Sequence, residues 1–223
     1  MAARFTKASN QWLQTVSSFT PPAEGSVSFW AKLTSFPGAS ARYRFVGNQT
    51  DFEIAYYDVD NTIRYQFLTT GAGAVSAADL LSLEVWHHFV GTYSTITDAV
   101  VGYLDGVQVA TTTAIGGTPA AGILGIGHAI WTSEGWIDGE MDEVRTYDRV
   151  LSADEVQAIH ICRGSDEIHF GLTHRWLMRE GAPGVTISGV GVVKDLTHGG
   201  LNMSPNGSPV FAESVLVQRR RAA

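Results

Sequence analysis

Apolar and polar residues alternate along much of the chain, a pattern that predicts β-strands. The clearest strand spans residues 26–33, where four apolar side chains fall on one face: Val27, Phe29, Ala31 and Leu33. Similar strands follow at 42–47, 52–57, 62–69, 86–93, 100–104, 107–110, 123–127 and 141–147, after two weaker strands in the first fifteen residues. Many short strands separated by regular turn signals predict a two-sheet sandwich.

Two local motifs punctuate these strands. Asp105-Gly106 predicts a tight hairpin, because both turn positions favour a positive φ. Ser152 and Glu155 form the pattern of a capping box, in which each side chain satisfies a backbone N–H of the other residue. The sequence therefore predicts one short helix near 152–161, which needs a sheet to pack on.

The segment 139–156, GEMDEVRTYDRVLSADEV, resembles the closing signature of laminin-G-like and pentraxin-like domains, which have the concanavalin A-like fold. The strand at 26–33, with its Ser-Phe-Trp sequence, and the strand at 86–93, which begins Trp-His, are similar to core strands of the same family. The resemblance implies an all-β fold: a two-sheet antiparallel jelly-roll sandwich with one short helix. At 223 residues, we expect a single domain.

Residues 163–223 resemble the strands that normally begin these domains, on the segments 170–181, 193–200 and 206–209. We therefore predict that residues 1–223 form one sandwich in circularly permuted order. The alternative is that 163–223 completes the sandwich of a neighbouring subunit.

The sequence contains little evidence of a catalytic site. Glycoside hydrolases of the resembled fold place three carboxylates at alternate positions of one strand, whereas this chain has Glu140, Asp142 and then Val144. Glu143 cannot replace the third carboxylate if side chains alternate, because it would point to the opposite face. No nucleophile elbow, P-loop or HExxH motif is present. We predict a protein that is not an enzyme.

The resemblance also implies a structural calcium ion, which binds six to eight oxygen atoms. The positions that match the family are Asp142 on the closing strand and Asp195 in a turn, although Thr197-His198 replaces the usual serine-glycine. Either aspartate could instead form a salt bridge or cap a turn.

Glycan binding would use exposed aromatic rings beside carboxylates. The loop that contains His128, Trp131 and Glu134 is the first candidate, and Tyr56 and Tyr57 are the second. Trp131 could serve as a sugar platform or as a subunit contact, since aromatic residues also anchor protein interfaces.

Composition limits the functional classes. With 44% apolar and 17% charged residues the chain can bury a full core. The net charge of −7 argues against a nucleic-acid-binding surface. The single cysteine, Cys162, excludes an intrachain disulfide. The sequence shows no secretory signal and no apolar run that would insert into a membrane, so we expect synthesis in the cytoplasm, of a host cell if the protein is viral.

Two functions fit these observations. The first, which we favour from the sequence, is a structural protein that forms a homo-oligomer on a larger assembly, such as a decoration or fibre component on the surface of a virion capsid or tail. Such a component could also mediate adhesion. The alternative is a carbohydrate-binding module with a glycan ligand.

Overall fold

The chain folds into two antiparallel sheets that face each other. The computed structural model describes residues 1–38, 41–48, 52–67, 73–113, 115, 117, 120–128 and 134–214. The strands are β1 (Ala2–Phe5), β2 (Trp12–Thr15), β3 (Glu24–Leu33), β4 (Arg42–Asn48), β5 (Phe52–Tyr57), β6 (Thr62–Phe67), β7 (Ala74–Val75), β8 (His87–Ser94), β9 (Ala99–Leu104), β10 (Val107–Thr112), β11 (Leu124–Ile126), β12 (Gly139–Tyr147), β13 (Leu172–Trp176), β14 (Met203–Asn206) and β15 (Val210–Ala212). A 3-10 turn (Lys7–Ser9) and one helix, α1 (Ala153–Cys162), complete the fold.

The first sheet has eight strands in the order β10-β9-β8-β3-β12-β1-β15, with β13 paired to the far end of β12. The second sheet has seven strands in the order β14-β2-β11-β4-β5-β6-β7. This arrangement confirms the predicted two-sheet antiparallel jelly-roll sandwich with one short helix.

The core lies between the two sheets and is rich in aromatic residues. Phe29 of β3 stacks on Phe89 of β8 with ring centroids 5.0 Å apart, and Phe45 of β4 reaches across from the second sheet to 4.8 Å from Phe89. The apolar face of β3 that the alternation predicts points into this core. Trp30, on the opposite face, is also buried, because further layers cover the first sheet from outside.

The helix α1 provides one of those layers. The predicted capping box is present at Ser152, whose hydroxyl accepts the N–H of Glu155. Val156 and Ile159 form the buried side of α1 and belong to a second apolar cluster with Tyr103 and Tyr147 of the first sheet. In the described chain, no helix combines the length and the apolar character that crossing a membrane requires.

The C-terminal segment supplies a further layer and two of the sheet edges, β14 and β15. β13 pairs with β12, β14 pairs with β2, and β15 pairs with β1, all within one chain. Trp176 is fully buried, and its Nε1 donates a hydrogen bond of 2.8 Å to the carbonyl of Leu201. The order of these strands relative to the rest of the family stays a prediction.

A β-bulge interrupts β12 between Asp142 and Arg145. Its extra residue, Glu143, has a φ of 52°. Because of the bulge, Glu143 does not point to the core as strict alternation predicts, and it lies on the outer face beside Arg145. The bulge therefore places several charged side chains on one side of the strand.

Candidate functional site

The outer face of the second sheet carries charged and aromatic side chains at alternate positions. Strands β4, β5 and β6 direct their apolar residues into the core, a set that comprises Tyr43, Phe45, Phe52, Ile54, Tyr56, Ile63, Tyr65 and Phe67. The intervening residues face outward, and the ones that carry charge or an aromatic ring are Arg42, Arg44, Glu53, Tyr57 and Arg64. Since α1 occupies the outer face of the first sheet, these residues lie on the opposite side of the molecule.

A cavity of about 340 Å³ opens on this face. Its walls come from β4, from the β5–β6 hairpin and from the loop before β12, and consist of Ala41, Arg42, Tyr57, Val59, Arg64 and Glu134. This volume lies at the lower end of the range for small-molecule sites. Loops of this kind carry function on sandwich folds because the sheets beneath hold them in place.

Tyr57 is at the centre of the cavity wall. The guanidinium carbon of Arg64 lies 3.9 Å from the centroid of the Tyr57 ring, and that of Arg42 lies 5.2 Å from it. The Tyr57 hydroxyl accepts a hydrogen bond from Arg42 and donates one of 3.0 Å to Glu53. Burial and the nearby Glu53 carboxylate raise the pKa of Tyr57, so the phenol stays neutral.

A buried ion pair supports the floor of the site. Arg44 is 1% exposed, and its Nε donates a hydrogen bond of 2.8 Å to the Glu53 carboxylate. The Nη1 of Arg44 donates to the main-chain carbonyl of Glu134 at 2.8 Å, and its backbone N–H donates to Gly135. These bonds attach the loop before β12 to β4 and so fix the position of Glu134.

Acidic and basic groups balance around the cavity. The Glu134 carboxylate lies 3.3 Å from Arg42 Nη2 and 3.8 Å from Arg44 Nη2, while its side chain is 67% exposed. Arg64 forms an ion pair of 2.7 Å with Asp60. Three arginines therefore meet three carboxylates, counting the Glu53 pair. The Nε of Arg64 is buried and has no hydrogen-bond partner in the described chain.

The structure brings together two of the predicted glycan-site residues, Tyr57 and Glu134. Tyr56 lies in the core, with its ring stacked on Phe36 at 5.2 Å and its hydroxyl bonded to Asn61 at 3.1 Å. Because neighbouring strand residues face opposite ways, Tyr56 offers no exposed ring to a ligand and is not part of the site.

His128 is 2% exposed, although the sequence suggested an accessible loop position. Its ring packs between Trp12 at 5.3 Å and Trp136 at 4.8 Å. These contacts account for its burial and leave it a packing role beneath the loop. Trp131, the other predicted residue of this loop, lies outside the described residues.

Each of the two predicted calcium ligands is engaged by hydrogen-bond donors of the protein, and their binding of calcium stays a prediction. Asp195 accepts hydrogen bonds from the His174 ring at 2.7 Å, from the Thr197 hydroxyl at 2.9 Å, and from three backbone N–H groups. Both carboxylate oxygens of Asp195 thus accept hydrogen bonds, as the turn-capping alternative expects.

Burial raises the pKa of Asp142 to about 7, and Asp142 accepts a hydrogen bond of 2.5 Å from Ser214. No group of three or more histidine, cysteine, aspartate or glutamate side chains suited to a metal occurs within the described ranges.

The carboxylates considered for hydrolysis are also engaged. Glu140 accepts hydrogen bonds from Arg4 and forms an ion pair of 2.9 Å with Lys32. It lies with Asp142 on the first sheet, away from the cavity. This arrangement engages Glu140 with two cationic side chains, which does not suit a general acid.

Comparisons with known structures support the fold. A candidate carbohydrate-binding protein from Bacteroides ovatus is similar over 95% of this chain, with 19% identity and a TM-score of 0.70, and this chain spans 61% of that protein's length. The heptameric SAP-like pentraxin of Limulus polyphemus is similar over 73% of this chain and 82% of its own, with 16% identity and a TM-score of 0.55. A sialidase of Trypanosoma rangeli is similar over 63% of this chain but only 23% of its own, with 14% identity and a TM-score of 0.52.

At these identities the structural likeness shows the fold alone. No curated protein sequence matches the chain significantly. The sequence profile of the concanavalin A-like lectin/glucanases superfamily, however, matches residues 7–157, which contain β2 to β12 and the first part of α1. The chain therefore belongs to the concanavalin A-like lectin/glucanase superfamily.

Proposed function

We propose that the chain is a non-catalytic glycan-binding domain that holds a sugar in the cavity beside Tyr57. The observation that carries this proposal is the arrangement of Arg42, Arg64 and Glu134 around one cavity of about 340 Å³. Sugar hydroxyls both donate and accept hydrogen bonds, and planar guanidinium and carboxylate groups can each bind two neighbouring hydroxyls. The cavity wall offers both kinds of group within one sugar ring's reach.

The charge balance of the site favours an uncharged sugar. An acidic sugar would have to compete with Glu134 for Arg42 and with Asp60 for Arg64. A neutral sugar can bond to the same groups while their ion pairs stay in place. Val59, which is 65% exposed, adds an apolar contact for the C–H groups of the ring.

The site supports binding in preference to hydrolysis. A glycosidase needs one carboxylic acid that is protonated and one carboxylate that acts as nucleophile or base. Here Glu53 and Glu134 both form ion pairs with arginine side chains, which engages the two carboxyl groups in structural contacts. The fold shared with a candidate carbohydrate-binding protein is consistent with this proposal. The role on a virion surface that the sequence suggested has no support in the comparisons, and we do not propose it.

A glycan array followed by titration calorimetry on the bound sugars tests the proposal. We expect retention of neutral glycans and at least about a tenfold loss of affinity in Arg64→Met, because a charge-assisted hydrogen bond contributes about 1.5–3 kcal/mol. Glu134→Gln, which removes an acceptor charge but keeps the side chain's size, should also weaken binding.

The matched control is Arg4→Met, since Arg4 also pairs with a carboxylate but lies on the first sheet. It should bind with the affinity of the wild type. If the array retains no glycan, or if folded Arg64→Met binds as tightly as wild type, the proposed site is wrong. Circular dichroism of each variant separates lost binding from lost folding.

A further inference from the structure

Apart from β13, which branches from β12, the described strands of the two sheets include four edge strands, and the structure protects three of them. Next to β15, residues 184–187 form backbone hydrogen bonds with the strand, including Phe211 N–H to the Val185 carbonyl at 2.9 Å. Next to β14, Val193 and Met203 exchange a pair of backbone hydrogen bonds. The edge strand β7 is only two residues long. Covered or short edges are the usual means by which proteins avoid unwanted strand pairing.

The fourth edge is β10, which differs from the other three. It has six residues and pairs with β9 on one side. On its other side, no backbone bridge or hydrogen bond joins it to any segment that the structure describes. Alternate residues of β10 therefore direct their N–H and C=O groups away from the sheet.

The sequence of β10, VQVATT, has no charged residue and no proline. Proteins commonly block exposed edges with lysine or proline, and neither is used here. A single bulge between Gln108 and Ala110 is the one protective feature of the strand. Val107 is 65% exposed at its start, and Thr111 is exposed near its end. β-Branched side chains of this kind favour further strand pairing.

The helix extends this uncharged surface. Gly106, in the turn before β10, lies against α1, since a β-carbon built at Gly106 would be 3.5 Å from the Cα of Gln157. Gln157 and Ile161 lie one helical turn apart, and both are exposed. Ile161 is 54% exposed and adds an apolar side chain to this surface. We refer to β10 together with Gln157 and Ile161 as the β10 edge.

We propose that the β10 edge is a self-association surface, on which β10 pairs antiparallel with β10 of a second copy. A two-fold axis places a strand antiparallel to its own copy, so the same residues form both halves of the contact. A chain with a net charge of −7 repels its copies, and an uncharged strip is where two copies can meet without opposing like charges. Asp105, in the turn before β10, is hydrogen-bonded to His87, and β10 itself carries no charged side chain that would complement a strongly charged partner.

The size of the contact indicates a weak dimer. A six-residue strand is roughly 20 Å long, and together with one exposed helix face it falls short of the roughly 800 Å² per partner of a standard stable interface. We therefore expect a dimer that forms at concentrations on the order of tens of micromolar. The two eight-stranded sheets would then join into one continuous sheet.

Sedimentation velocity over a range of about 1 to about 500 µM tests the proposal. The wild type should shift from monomer to dimer, and Thr111→Lys should weaken the dimer at least about tenfold, because it places a charge on each of the two pairing strands. The control is Ile96→Lys, which adds the same charge at a residue that is 74% exposed in the β8–β9 hairpin. It should dimerise like the wild type.

Hydrogen exchange measured at the two ends of this range identifies the surface. The backbone amides of β10 should gain protection at high concentration, and those of the β8–β9 hairpin should not. A wild type that stays monomeric at about 500 µM would overturn the proposal. So would a dimer that Thr111→Lys leaves intact, or concentration-dependent protection confined to another strand.

Discussion

Arg145 provides the sharpest test of what holds the C-terminal segment to the sandwich. It is 1% exposed and donates two hydrogen bonds, of 2.8 and 2.9 Å, to the carboxylate of Asp166. Its Nε donates to Glu143 at 3.1 Å. Asp166 lies between α1 and β13, so this ion pair connects the chain beyond the helix to β12.

We predict that Arg145→Met lowers the free energy of unfolding by about 3–5 kcal/mol near neutral pH. The methionine fills similar space but leaves the buried Asp166 carboxylate without its bidentate partner. Glu143 keeps its hydrogen bonds from Arg175, of 2.7 and 3.2 Å, so most of the loss comes from Asp166. A loss of this size leaves most domains folded, so urea unfolding can measure it.

The pH dependence identifies the charge as the cause. Burial by itself would raise the pKa of Asp166, but the hydrogen bonds from Arg145 outweigh it, and the pKa is lowered from 3.8. In the wild type this stabilisation is present above the unfolded pKa and is lost as the pH falls through the folded value. In Arg145→Met the burial is opposed mainly by the backbone N–H of Ile168, so the pKa of Asp166 should rise and protonation should relieve the unpaired charge. The variant's deficit should therefore shrink between about pH 7.5 and about pH 4.5.

Two further variants complete this experiment. Asp166→Asn added to Arg145→Met removes the unpaired charge and should recover part of the lost stability. Arg149→Met is the matched control, because Arg149 also forms a bidentate pair, with Glu155, but at a site whose side chains are 20% and 31% exposed. That pair should contribute about 1 kcal/mol or less. If the cost of Arg145→Met equals that of Arg149→Met, or does not change with pH, the ion-pair explanation is wrong.

Two other predictions concern buried positions of the first sheet. Asp142→Asn should make the free energy of unfolding less dependent on pH. Burial raises the pKa of Asp142 from 3.8 to about 7, so the wild type should lose stability as the pH rises through that interval. The variant should lose less, and urea unfolding at several pH values measures the difference. Gly102→Ala should destabilise the protein by about 1–3 kcal/mol in thermal or urea unfolding, because a β-carbon at Gly102 would overlap the buried ring of Tyr65; an unchanged stability would mean that Tyr65 can move aside.

The fold could be predicted from the sequence because its determinants are local. Alternation specified the strands, Asp105-Gly106 specified a hairpin whose two residues have φ values of 51° and 82°, and Ser152 with Glu155 specified the start of α1. The bulge at Glu143 could not be predicted in the same way. A single non-glycine residue with a positive φ does not change the alternation in a recognisable way, and Arg175, which donates to Glu143, comes from a distant strand.

The candidate site could be predicted only in part from the sequence. The phase of β5, with Phe52 and Ile54 in the core, assigns Tyr56 to the inside and Tyr57 to the outside, so this distinction was present in the sequence. Arg42 and Arg64 also lie at outward positions of their strands. The sequence does not give the pairing register of β4 and β5, which sets Arg42 directly opposite Tyr57, or the position of Arg64 over the Tyr57 ring. The burial of His128 depends likewise on a strand more than a hundred residues away.

The outer faces of the two sheets differ in how deeply their charged residues are buried. On the first sheet, α1 and the C-terminal segment bury charged residues such as Arg145, where each contact serves stability. On the second sheet, the partly exposed Arg42 and Glu134 form weaker ion pairs that a ligand can share. Changes on one face are far from the groups of the other, so their energetic effects should add. Under the proposed function, substitutions at the cavity would therefore change glycan affinity without weakening the layers that hold the sandwich together.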